Sequence, residues 1–497
     1  MTAVIIGVDV GTTSVKVAAF SPQGQLIRVE RTGIAVSRPR SGWAEQDALD
    51  WWRGCVRGIE AVISDLPGVQ VRSIGVVGQV NTHLFVDEHL QPLAPAILWQ
   101  DQRCREIAIE QDAGFTVDEK IRAWGRPMTF DASFAPARAA WFDRNQPEKW
   151  QRTRWMLGPK DFVVAKLTGK IATDQLSVVR LTNRDGNSYV PQAVGLVDGL
   201  ADRLPPIHDL TAPLGEVTDT TVTTGAATVS AGATDSVGDI VGSGSAVPGR
   251  AMVSCGTSLV VAGVSSGPAQ SSRILSLPPL WGAHVHAGPT RAAGDALRWW
   301  SQVRGDSIEA VLREAQHVEA GSSGVVFTPH LMGQRAPLWD SEVRGSFLGL
   351  SSATSGAEMS RAVLEGVAMS ARQVLDAVES AVGWEFDSLA FVGGGARSDL
   401  WAQIHADVLG RPIRRLRVSD AAGFGAALLG AVSAGVYPDI ETATTAVRVE
   451  RVFTPHETAH SRLQPLYAVY QEVYRALEEA HRQLADWRDR PAAPPSA

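Results

Sequence analysis

The chain has 497 residues, of which 44% are hydrophobic and 20% charged, and its formal net charge is −7 at pH 7. The length exceeds what one hydrophobic core usually holds, so two globular domains are expected. The acidic balance excludes a broad basic surface for nucleic acid or an anionic membrane and favours a small-molecule partner. Three separated cysteines, no signal-peptide pattern and no long apolar run predict a cytoplasmic protein without a disulfide framework, zinc site or membrane span.

The N-terminal segment predicts a β-hairpin around a polar loop. An apolar run carries Asp9 to its end, and the turn and returning strand contain Gly11, Thr12, Thr13, Ser14 and Lys16. Glycine lets an anion approach the backbone closely, and the amides and hydroxyls of the loop supply donors, so the loop is a candidate phosphate site. Asp9 is placed to hold a hydrated metal ion. A hairpin with an ordinary polar turn is the alternative.

The region after this hairpin alternates short strands and helices. A helix is predicted over 51–63, strands over 73–78 and 84–87, and short helices over 136–144 and 161–167. Prolines scattered between 92 and 159 indicate that the short helices belong to an insertion forming one wall of a cleft. A glycine-rich segment over 230–245 ends in a Val-Pro-Gly turn, which marks a domain boundary near residue 245.

A second copy of the hairpin motif opens the other half of the chain. The segment Ala251–Gly263 repeats the strand, a turn of Gly256, Thr257 and Ser258, and the returning strand. Two such loops predict two halves of similar topology, each offering a phosphate-binding turn to a shared cleft.

The remainder of the second half also has an α/β pattern. Helices are predicted over 358–382, 398–409 and 423–434, the last rich in small residues, and a strand over 388–392 precedes three glycines at 393–395. A charged helix is predicted over 463–487, and the Pro/Ala tail over 490–497 is expected to be disordered. The predicted domains are 1–245 and 246–460, followed by a helix over 461–489 that packs back on the body.

Several features together fit phosphoryl transfer, which needs phosphate donors, a metal ion and a group that positions or deprotonates the acceptor. Asp235 lies in a Gly/Ala/Thr-rich loop ahead of a small-residue helix, so it is the candidate base, with a helix N-cap as the alternative. The glycines at 393–395 would let adenosine lie against the backbone, although a strand-to-helix turn explains them equally well. No Walker or Rossmann glycine motif is present.

Polar and aromatic side chains after the strand over 73–78 are candidates for binding a sugar or polyol. Gln79, Asn81 and His83 follow that strand, and Trp99 and Asp101 come next. An aromatic ring can pack on C–H faces while amides and carboxylates pair with hydroxyl groups. For Trp99, the alternative is packing in the hydrophobic core. For His83, the favoured interpretation is a surface position or a core position in which its hydrogen bonds are satisfied.

With these residues, the chain resembles the FGGY carbohydrate kinases, within the superfamily of actin, Hsp70 and hexokinase. Gly345–Leu350, followed after seven residues by Glu358–Glu365, is similar to the C-terminal signature of the family. Pro136–Trp141 resembles the N-terminal signature, with Arg138 at a position where lysine is usual. The resemblance covers nearly everything from Ile5 to about Tyr474.

The resemblance implies two ribonuclease H-like (actin-like ATPase) domains with a cleft between them that closes over ATP and a sugar. It implies that Asp235 is the catalytic base and that Asp9 lies near Mg²⁺, through water. Gly256 and Thr257 would contact phosphates, together with the first loop and Lys16, while Gly394 and Gly395 would contact adenosine. The implied activity is ATP- and Mg²⁺-dependent phosphorylation of a terminal hydroxyl of a sugar or polyol. A homodimer is the expected oligomeric state.

Within the family, the segments 41–47, 97–101, 159–161 and 393–398 resemble xylulokinases, so D-xylulose is the expected substrate. Departures fall on the sugar side: Val80 and Asn81 stand where Met-His is typical, Ser236 where Asn follows the base, and Gln334 where Glu is usual. The expected substrate-binding residues are Gln79, Val80, Asn81, Trp99, Asp101, Asp235 and Ser236. The alternatives are a substrate of L-xylulose, ribulose, tetritol, pentitol or gluconate type, and a non-catalytic nucleotide switch like actin or Hsp70.

Overall fold

A computed structural model describes residues 3–488 apart from 65, 67, 126, 219–221 and 223–225. The tail predicted over 490–497 lies outside these residues. The chain divides into two compact units, the first formed by Met1–Ala246, Leu277–Trp281 and Asp420–Arg448. The second unit contains Val247–Ser276, Gly282–Ser419 and Val449–Ala497. Of the helices in the described part of the chain, none has the length and apolar character needed to cross a membrane.

The first half of the chain alternates strands with short helices. Its strands are β1 (Ala3–Val10), β2 (Ser14–Phe20), β3 (Leu26–Gly33), β4 (Glu45–Gln46), β5 (Gln70–Gly78), β6 (Leu84–Val86), β7 (Ala96–Ile97), β8 (Trp155–Leu157), β9 (Thr173–Asp174), β10 (Ile207–His208), β11 (Pro213–Glu216), β12 (Thr228–Ser230) and β13 (Ala233–Thr234). Its α-helices are α1 (Ala48–Ile63), α2 (Arg105–Ala113), α3 (Val117–Trp124), α4 (Ala135–Asn145), α5 (Pro147–Arg152), α6 (Pro159–Thr168), α7 (Pro191–Val194) and α8 (Asp235–Gly242).

The second half has longer helices. Its strands are β14 (Ala251–Cys255), β15 (Leu259–Ser265), β16 (Leu275–Ser276), β17 (His284–Pro289), β18 (Val326–Thr328), β19 (Ser346–Leu348), β20 (Leu389–Val392), β21 (Ile413–Leu416) and β22 (Val449–Phe453). Its α-helices are α9 (Gly294–Arg304), α10 (Ile308–Ala315), α11 (Gly356–Val382), α12 (Asp399–Leu409), α13 (Ala421–Ser433), α14 (Ile440–Thr444) and α15 (Glu457–Arg488). Short 3₁₀ turns occur at Ala201–Arg203, Ser322–Gly324 and Gly394–Arg397.

Each unit is built on one large mixed sheet, and the two sheets share a strand arrangement. The order is β11-β12-β5-β1-β2-β3 in the first, with β13 also paired to β5, and β22-β21-β20-β14-β15-β17-β16 in the second. In both units an antiparallel hairpin (β1–β2 or β14–β15) is followed by a strand parallel to its first member (β5 or β20). The predicted α/β class and the similar topology of the two halves are therefore confirmed.

Burial on both faces explains why β1 is almost wholly apolar. Val4, Ile6 and Val8 alternate along the strand and belong to one apolar cluster with Trp51 and Ile59 of α1. Side chains at i, i+2 and i+4 share one face of a strand, so this face lies against α1. Strands with both faces covered lose the alternation of polar and apolar residues, which is what the sequence shows here.

The other face of β1 and β5 is covered by α13. A Cβ atom on Gly75 would lie 1.7 Å from the carbonyl oxygen of Ala426, and a Cβ on Gly7 would lie 1.8 Å from that of Gly423. The strand and helix backbones are therefore in direct contact, which only glycine permits at these two positions.

Residues 420–448 depart from the predicted domain organisation. The sequence places them within 246–460, whereas Asp420–Arg448 packs as part of the first compact unit, as does Leu277–Trp281. The physical reason is the close contact of α13 with β1 and β5, which joins this segment to the first sheet. A boundary drawn at one glycine-rich turn does not detect such a return of the chain.

Most predicted helices are confirmed with shifted ends. The helix expected over 358–382 spans Gly356–Val382, where Ser355 and Glu358 form a capping box and Gly383 ends it at φ 83°. The helix expected over 463–487 begins earlier, at Glu457, and runs to Arg488 with Pro465 inside it. The capping residues fix the first helix end, while apolar periodicity alone places the second less accurately.

The short helices of the first half surround their own apolar cluster. It contains Phe85, Phe130, Phe134 and Phe142, and the rings of Phe85 and Phe142 stack with centroids 4.0 Å apart. This cluster supports α4, the helix that carries Arg138.

Candidate functional site

Several candidate residues follow neighbouring strands of the first unit at one edge of its sheet. β5 runs parallel to β1 and to β13, and Gly78 lies opposite Val10 on one side and Thr234 on the other. The polar loop after β1, Gln79 after β5 and Asp235 after β13 therefore leave the sheet at the same edge. The carboxyl ends of parallel strands are the usual ligand-binding edge of α/β sheets.

Asp235 is the first residue of α8, and the N-cap is Thr234, so the alternative of an N-cap role for Asp235 is not supported. Its Oδ1 accepts a hydrogen bond from the backbone N–H of Ser236 at 2.7 Å. Burial, together with the negative charge of Asp9, raises the pKa of Asp235 to about 7, although the Ser236 hydrogen bond and Lys16 oppose the rise. A carboxylate with this pKa can accept a proton near neutral pH.

Lys16 joins two carboxylates at the polar loop. Its Nζ lies 2.9 Å from Oδ2 of Asp9 and 3.2 Å from Oδ1 of Asp420. Burial raises the pKa of Asp9, and Lys16 opposes this rise. Burial also tends to lower the pKa of Lys16, but the two carboxylates outweigh it and raise that pKa above its usual range. Lys16 therefore keeps its charge.

Sequence reasoning missed Asp420. It directly precedes α13, so it reaches the site only because that helix packs on β1 and β5. The available signal was an acidic residue immediately before a helix of small residues. Only the contact with Lys16 identifies it as part of this group.

The acidic pair around Lys16 fits a magnesium–phosphate site. The Oδ2 atom of Asp420 is buried and accepts no hydrogen bond, so this oxygen is available to a ligand. Mg²⁺ is usually bound by one or two carboxylates plus phosphate oxygens and water. Across the part of the chain that the structure describes, no group of three or more His, Cys, Asp or Glu side chains could hold a metal ion by itself. Asp9 and Asp420 therefore fit a metal ion that is shared with a bound phosphate.

The hydroxyl of Thr12 connects the polar loop to the expected sugar-binding residues. It donates to Oε1 of Gln79 at 3.1 Å and accepts from Nε1 of Trp99 at 3.1 Å. Gln46 donates to the Thr12 carbonyl at 2.6 Å and accepts from Nε2 of Gln79 at 3.1 Å. The side chain of Thr12 is thus occupied, and its backbone remains the part suited to phosphate.

The side-chain amide of Gln79, expected to bind sugar, makes several contacts within the protein. Its Oε1 accepts from Thr12 and from Thr82, and its Nε2 donates to Gln46 and to the carbonyl of Gly11. A side-chain amide has two donor hydrogens and two acceptor lone pairs, so none is left for a substrate. Gln79 shapes the site and holds the loop.

The carboxylate of Asp101, also expected to bind sugar, is likewise paired within the protein. It is 0% exposed, and Oδ2 accepts from the Ala44 amide at 2.6 Å while both oxygens accept from Arg103. Buried carboxylates need such partners, and here the partners are all within the protein. Asp101 therefore holds the turn that follows Trp99, whereas Trp99 itself is 39% exposed and available to a ligand.

A cavity in the first unit is bordered by the turn after β5. The residues that line it include Val80, Asn81, His83, Ser177 and Leu181. Asn81 has a φ of 56°, in the left-handed region that asparagine tolerates better than most residues. Val80 and Asn81, two of the residues that depart from the xylulokinase pattern, therefore border this cavity.

Two members of a buried ion triad, Lys160 and Asp161, also line this cavity. Lys160 contacts the carboxylate of Asp161 and lies 3.0 Å from Oδ2 of Asp174. All three side chains are almost fully buried, and together they carry one net negative charge. Among the described residues that line the cavity, Lys160 is the one Lys or Arg, so no unpaired cation faces it. Sequence analysis did not single out this triad as part of the site.

In the second unit, the two glycine motifs lie together. β14 and β20 are parallel, with Ser254 opposite Val392, so the Gly256 turn and the glycines at 393–395 leave neighbouring strand ends. A Cβ on Gly393 would lie 3.1 Å from the Gly256 nitrogen, whereas a Cβ on Gly394 would meet nothing within 4 Å. Gly394 therefore presents open backbone, which suits a flat ligand.

The hairpin turns of the two units are also alike in hydrogen bonding. The Gly256 amide donates to the Ser258 carbonyl at 3.0 Å, as the Gly11 amide donates to the Ser14 carbonyl at 3.1 Å. Thr257 follows Gly256 within its turn, as Thr12 follows Gly11.

Comparisons with known proteins agree with this architecture. The family model "FGGY family of carbohydrate kinases, N-terminal domain" matches residues 4–242, and the corresponding C-terminal domain model matches residues 251–434. A xylulose kinase of Lactococcus lactis subsp. lactis is 29% identical, with 98% of this chain and 99% of the relative covered. A gluconokinase of Bacillus subtilis is 25% identical, with 98% and 99% covered. The crystal structure of a xyloylose kinase from Brucella ovis is 29% identical with a TM-score of 0.88, covering 96% of this chain and 100% of that one.

Proposed function

Since the chain belongs to the FGGY family of carbohydrate kinases, we propose that this sugar phosphotransferase transfers the γ-phosphate of ATP to a terminal hydroxyl of a ketopentose, D-xylulose. The observation that carries the proposal is the group of ionisable side chains at one sheet edge of the first unit. There Asp9, Lys16 and Asp420 are in contact, and the charge of Asp9 acts on Asp235. Phosphoryl transfer requires such a combination of phosphate, metal and acceptor groups.

We assign Asp235 as the general base. Its carboxylate accepts the proton of the acceptor hydroxyl, and the Ser236 amide that donates to Oδ1 holds it in one orientation. Because its pKa is about 7, the carboxylate is both available and basic at neutral pH. Ser236, with its hydroxyl 3.1 Å from that of Thr234, is positioned beside the base and is proposed to contact the sugar.

Asp9 and Asp420 are proposed to hold Mg²⁺, through water at Asp9, and Lys16 to bind phosphate oxygens. When bound, Mg²⁺ supplies positive charge that stabilises the transferring phosphate. Lys16 contributes a fixed charge, because both carboxylates keep it protonated and oriented. The backbone of Gly11, Thr12 and Thr13 completes the phosphate-binding part of the first unit.

In the second unit, Gly256 and Thr257 are proposed to contact phosphates of ATP, and Gly394 and Gly395 its adenosine. The open backbone at Gly394 supports this assignment. Gly395 has a different constraint, since a Cβ there would lie 2.6 Å from Sγ of the buried Cys255. Any larger residue at either position would displace a ligand or the strand behind it.

The charges around the cavity of the first unit support a neutral sugar over an aldonate. Lys160 is already paired with two buried carboxylates, so a substrate carboxylate would find a net negative wall and no free cation. Placing an unpaired charge in such a site is costly. Val80 and Asn81, which line the cavity, instead offer apolar surface and a neutral polar group, which suit a ketose. The exposed face of Trp99 is proposed to pack against the sugar.

A substrate panel tests this choice. We expect D-xylulose to have the highest kcat/KM, and D-gluconate to be poorer by about a hundredfold, because its carboxylate remains unpaired. The measurement is ADP release with D-xylulose, L-xylulose, D-ribulose, pentitols, tetritols and D-gluconate, with a sugar-free blank. Faster turnover of gluconate than of D-xylulose would refute the substrate assignment, and no stimulation by any of these compounds would refute the proposed function.

The pH dependence follows from Asp235. Below its pKa of about 7 the carboxyl is protonated and cannot accept the hydroxyl proton, so kcat/KM for the sugar should fall with decreasing pH. The expected slope is about tenfold per pH unit below the inflection, with a plateau above it. Initial rates across a pH series, with Mg·ATP saturating, measure this directly. An inflection near the ordinary pKa of an aspartate would contradict the raised pKa of Asp235 on which this prediction rests.

A further inference from the structure

Arg138 is a fully buried cation with no role in the assignments above. Its guanidinium lies on α4, and its side chain is 0% exposed. Nη1 donates to the carbonyls of Asn81 and of Ile97, the latter at 2.8 Å, and Nη2 donates to the carbonyl of Leu98. Nε donates to the carbonyl of Ala132 at 3.2 Å.

Three of these acceptors, the carbonyls of Asn81, Ile97 and Leu98, belong to segments that carry the expected sugar contacts. Asn81 lines the cavity, and Leu98 immediately precedes Trp99. The segments are already joined by reciprocal backbone hydrogen bonds between His83 and Ile97, at 3.0 and 2.9 Å. Arg138 therefore binds the backbone on both sides of this bridge, where each segment enters the site.

The contacts of Arg138 are unusual for a buried charge because its acceptors are neutral. Besides the four carbonyls, Nη1 lies 3.0 Å from Nδ1 of His83, which must accept this hydrogen bond because a guanidinium is only a donor. Burial and the charge of Arg138 keep the pKa of His83 well below its usual value, consistent with a neutral ring. A buried cation is normally paired with a carboxylate, so the interactions that compensate its burial are those that fix the backbone of the two segments.

We propose that Arg138 is a positioning residue for sugar recognition, whose guanidinium fixes the spacing between the Val80–Thr82 turn and the Trp99 segment. This inference rests on the proposed function of the same site. Arg138 touches neither the base nor the phosphate loop by any of these contacts. Its effect should therefore appear in sugar affinity and in discrimination between sugars.

Lysine, although usual at this position in the family, would not make the same set of contacts with the four carbonyls in this chain. An ammonium group is a compact point charge on a flexible stem, whereas guanidinium is a planar fork that can bind several carbonyls in fixed directions. R138K should keep a charge on α4 but lose some of the carbonyl contacts. We expect the R138K protein to fold, but with the Val80–Thr82 turn and the Trp99 segment held less tightly.

The test compares R138K and R138Q with R372K as a matched control. Arg372 also donates to a backbone carbonyl, that of Val408 at 3.1 Å, and stacks over Tyr467 in the second unit. R138K should raise the sugar KM about tenfold, the effect of losing a hydrogen bond to a charged group. Its kcat and its KM for ATP should change little, and R372K should leave the sugar KM unchanged.

A second readout does not depend on turnover. Sugar binding raises the melting temperature of wild-type protein by mass action, and this rise should shrink in R138K at the same sugar concentration. Discrimination between D-xylulose and L-xylulose, measured as the ratio of kcat/KM, should also decrease. R138Q provides the same comparisons without the charge.

An unchanged sugar KM in R138K, or an equal loss of kcat for every sugar with no change in KM, would overturn the proposal. A similar rise of KM in R372K would also overturn it, since any disturbed arginine would then have the same effect. If wild-type protein turns over no compound of the panel, the proposed function fails and this inference fails with it. Wild-type turnover with unaffected R138 variants would refute the inference alone.

Discussion

Replacing Asp235 by asparagine is expected to reduce kcat for sugar phosphorylation by about a hundredfold to ten-thousandfold. The amide has nearly the same size as the carboxylate, but it cannot accept the proton of the acceptor hydroxyl. The fold should tolerate the change, because desolvation raises the pKa of the partly buried Asp235 to about 7 and asparagine removes a charge that this environment disfavours. Steady-state ADP release at saturating sugar and Mg·ATP measures the effect.

The matched control is Asp198→Asn, which neutralises an exposed carboxylate of the same unit. It should retain wild-type kcat. Binding of ATP by the Asp235→Asn protein should also be retained, as measured by calorimetry, since the change removes a base and no proposed nucleotide contact. A folded Asp235→Asn protein that phosphorylates its sugar at the wild-type rate would rule out Asp235 as the base.

Replacing Gly75 by alanine is expected to destabilise the first unit by about 3 kcal/mol, the upper range for overpacking a core. The new Cβ would lie 1.7 Å from the carbonyl oxygen of Ala426 and 2.9 Å from the nitrogen of Gly430. Both are backbone atoms, so neither can move aside by a change of rotamer. α13 would have to shift away from β5, and Asp420 at its start would move with it.

Thermal unfolding followed by circular dichroism measures this loss, which corresponds to a lower melting temperature by roughly 6 °C or more. Gly33→Ala is the matched control, because Gly33 ends an exposed edge strand and a Cβ there would meet nothing within 4 Å. That variant should melt close to the wild-type temperature. If the Gly75→Ala and Gly33→Ala proteins had equal melting temperatures, the tight packing of α13 on β5 would be contradicted.

Local patterns accounted for the strands and loops that carry the chemistry. Asp9 and the Gly11 turn follow an apolar strand, and the Gly256 turn follows another, so each hairpin was evident from short-range sequence alone. Strand propensity and turn chemistry act over a few residues, and both motifs are contained within such a span. The pairing of the two motifs also anticipated the matching sheets.

The hydrogen bonds of the expected sugar-binding residues could not be predicted, because residue type does not reveal which bonds are already made within the protein. Gln79 and Asp101 have the right chemistry for hydroxyl groups, yet Gln46, Thr82 and Arg103 satisfy them within the protein. Gln46 lies 33 positions from Gln79, and although Thr82 and Arg103 are close in sequence to the residues they contact, nothing in the local pattern shows that these hydrogen bonds form. Only the folded structure distinguishes a free polar group from an occupied one.

The sequence by itself determined the α/β class, the repeated hairpins and the candidate base, because each depends on neighbouring residues. The tertiary structure alone decided that Asp420 joins Lys16, which it meets across 404 positions of the chain. It also decided that Arg138 binds the backbone beside Asn81 and Trp99. Both contacts require helices to pack on distant strands, and that packing depends on the shapes of whole surfaces rather than on local sequence.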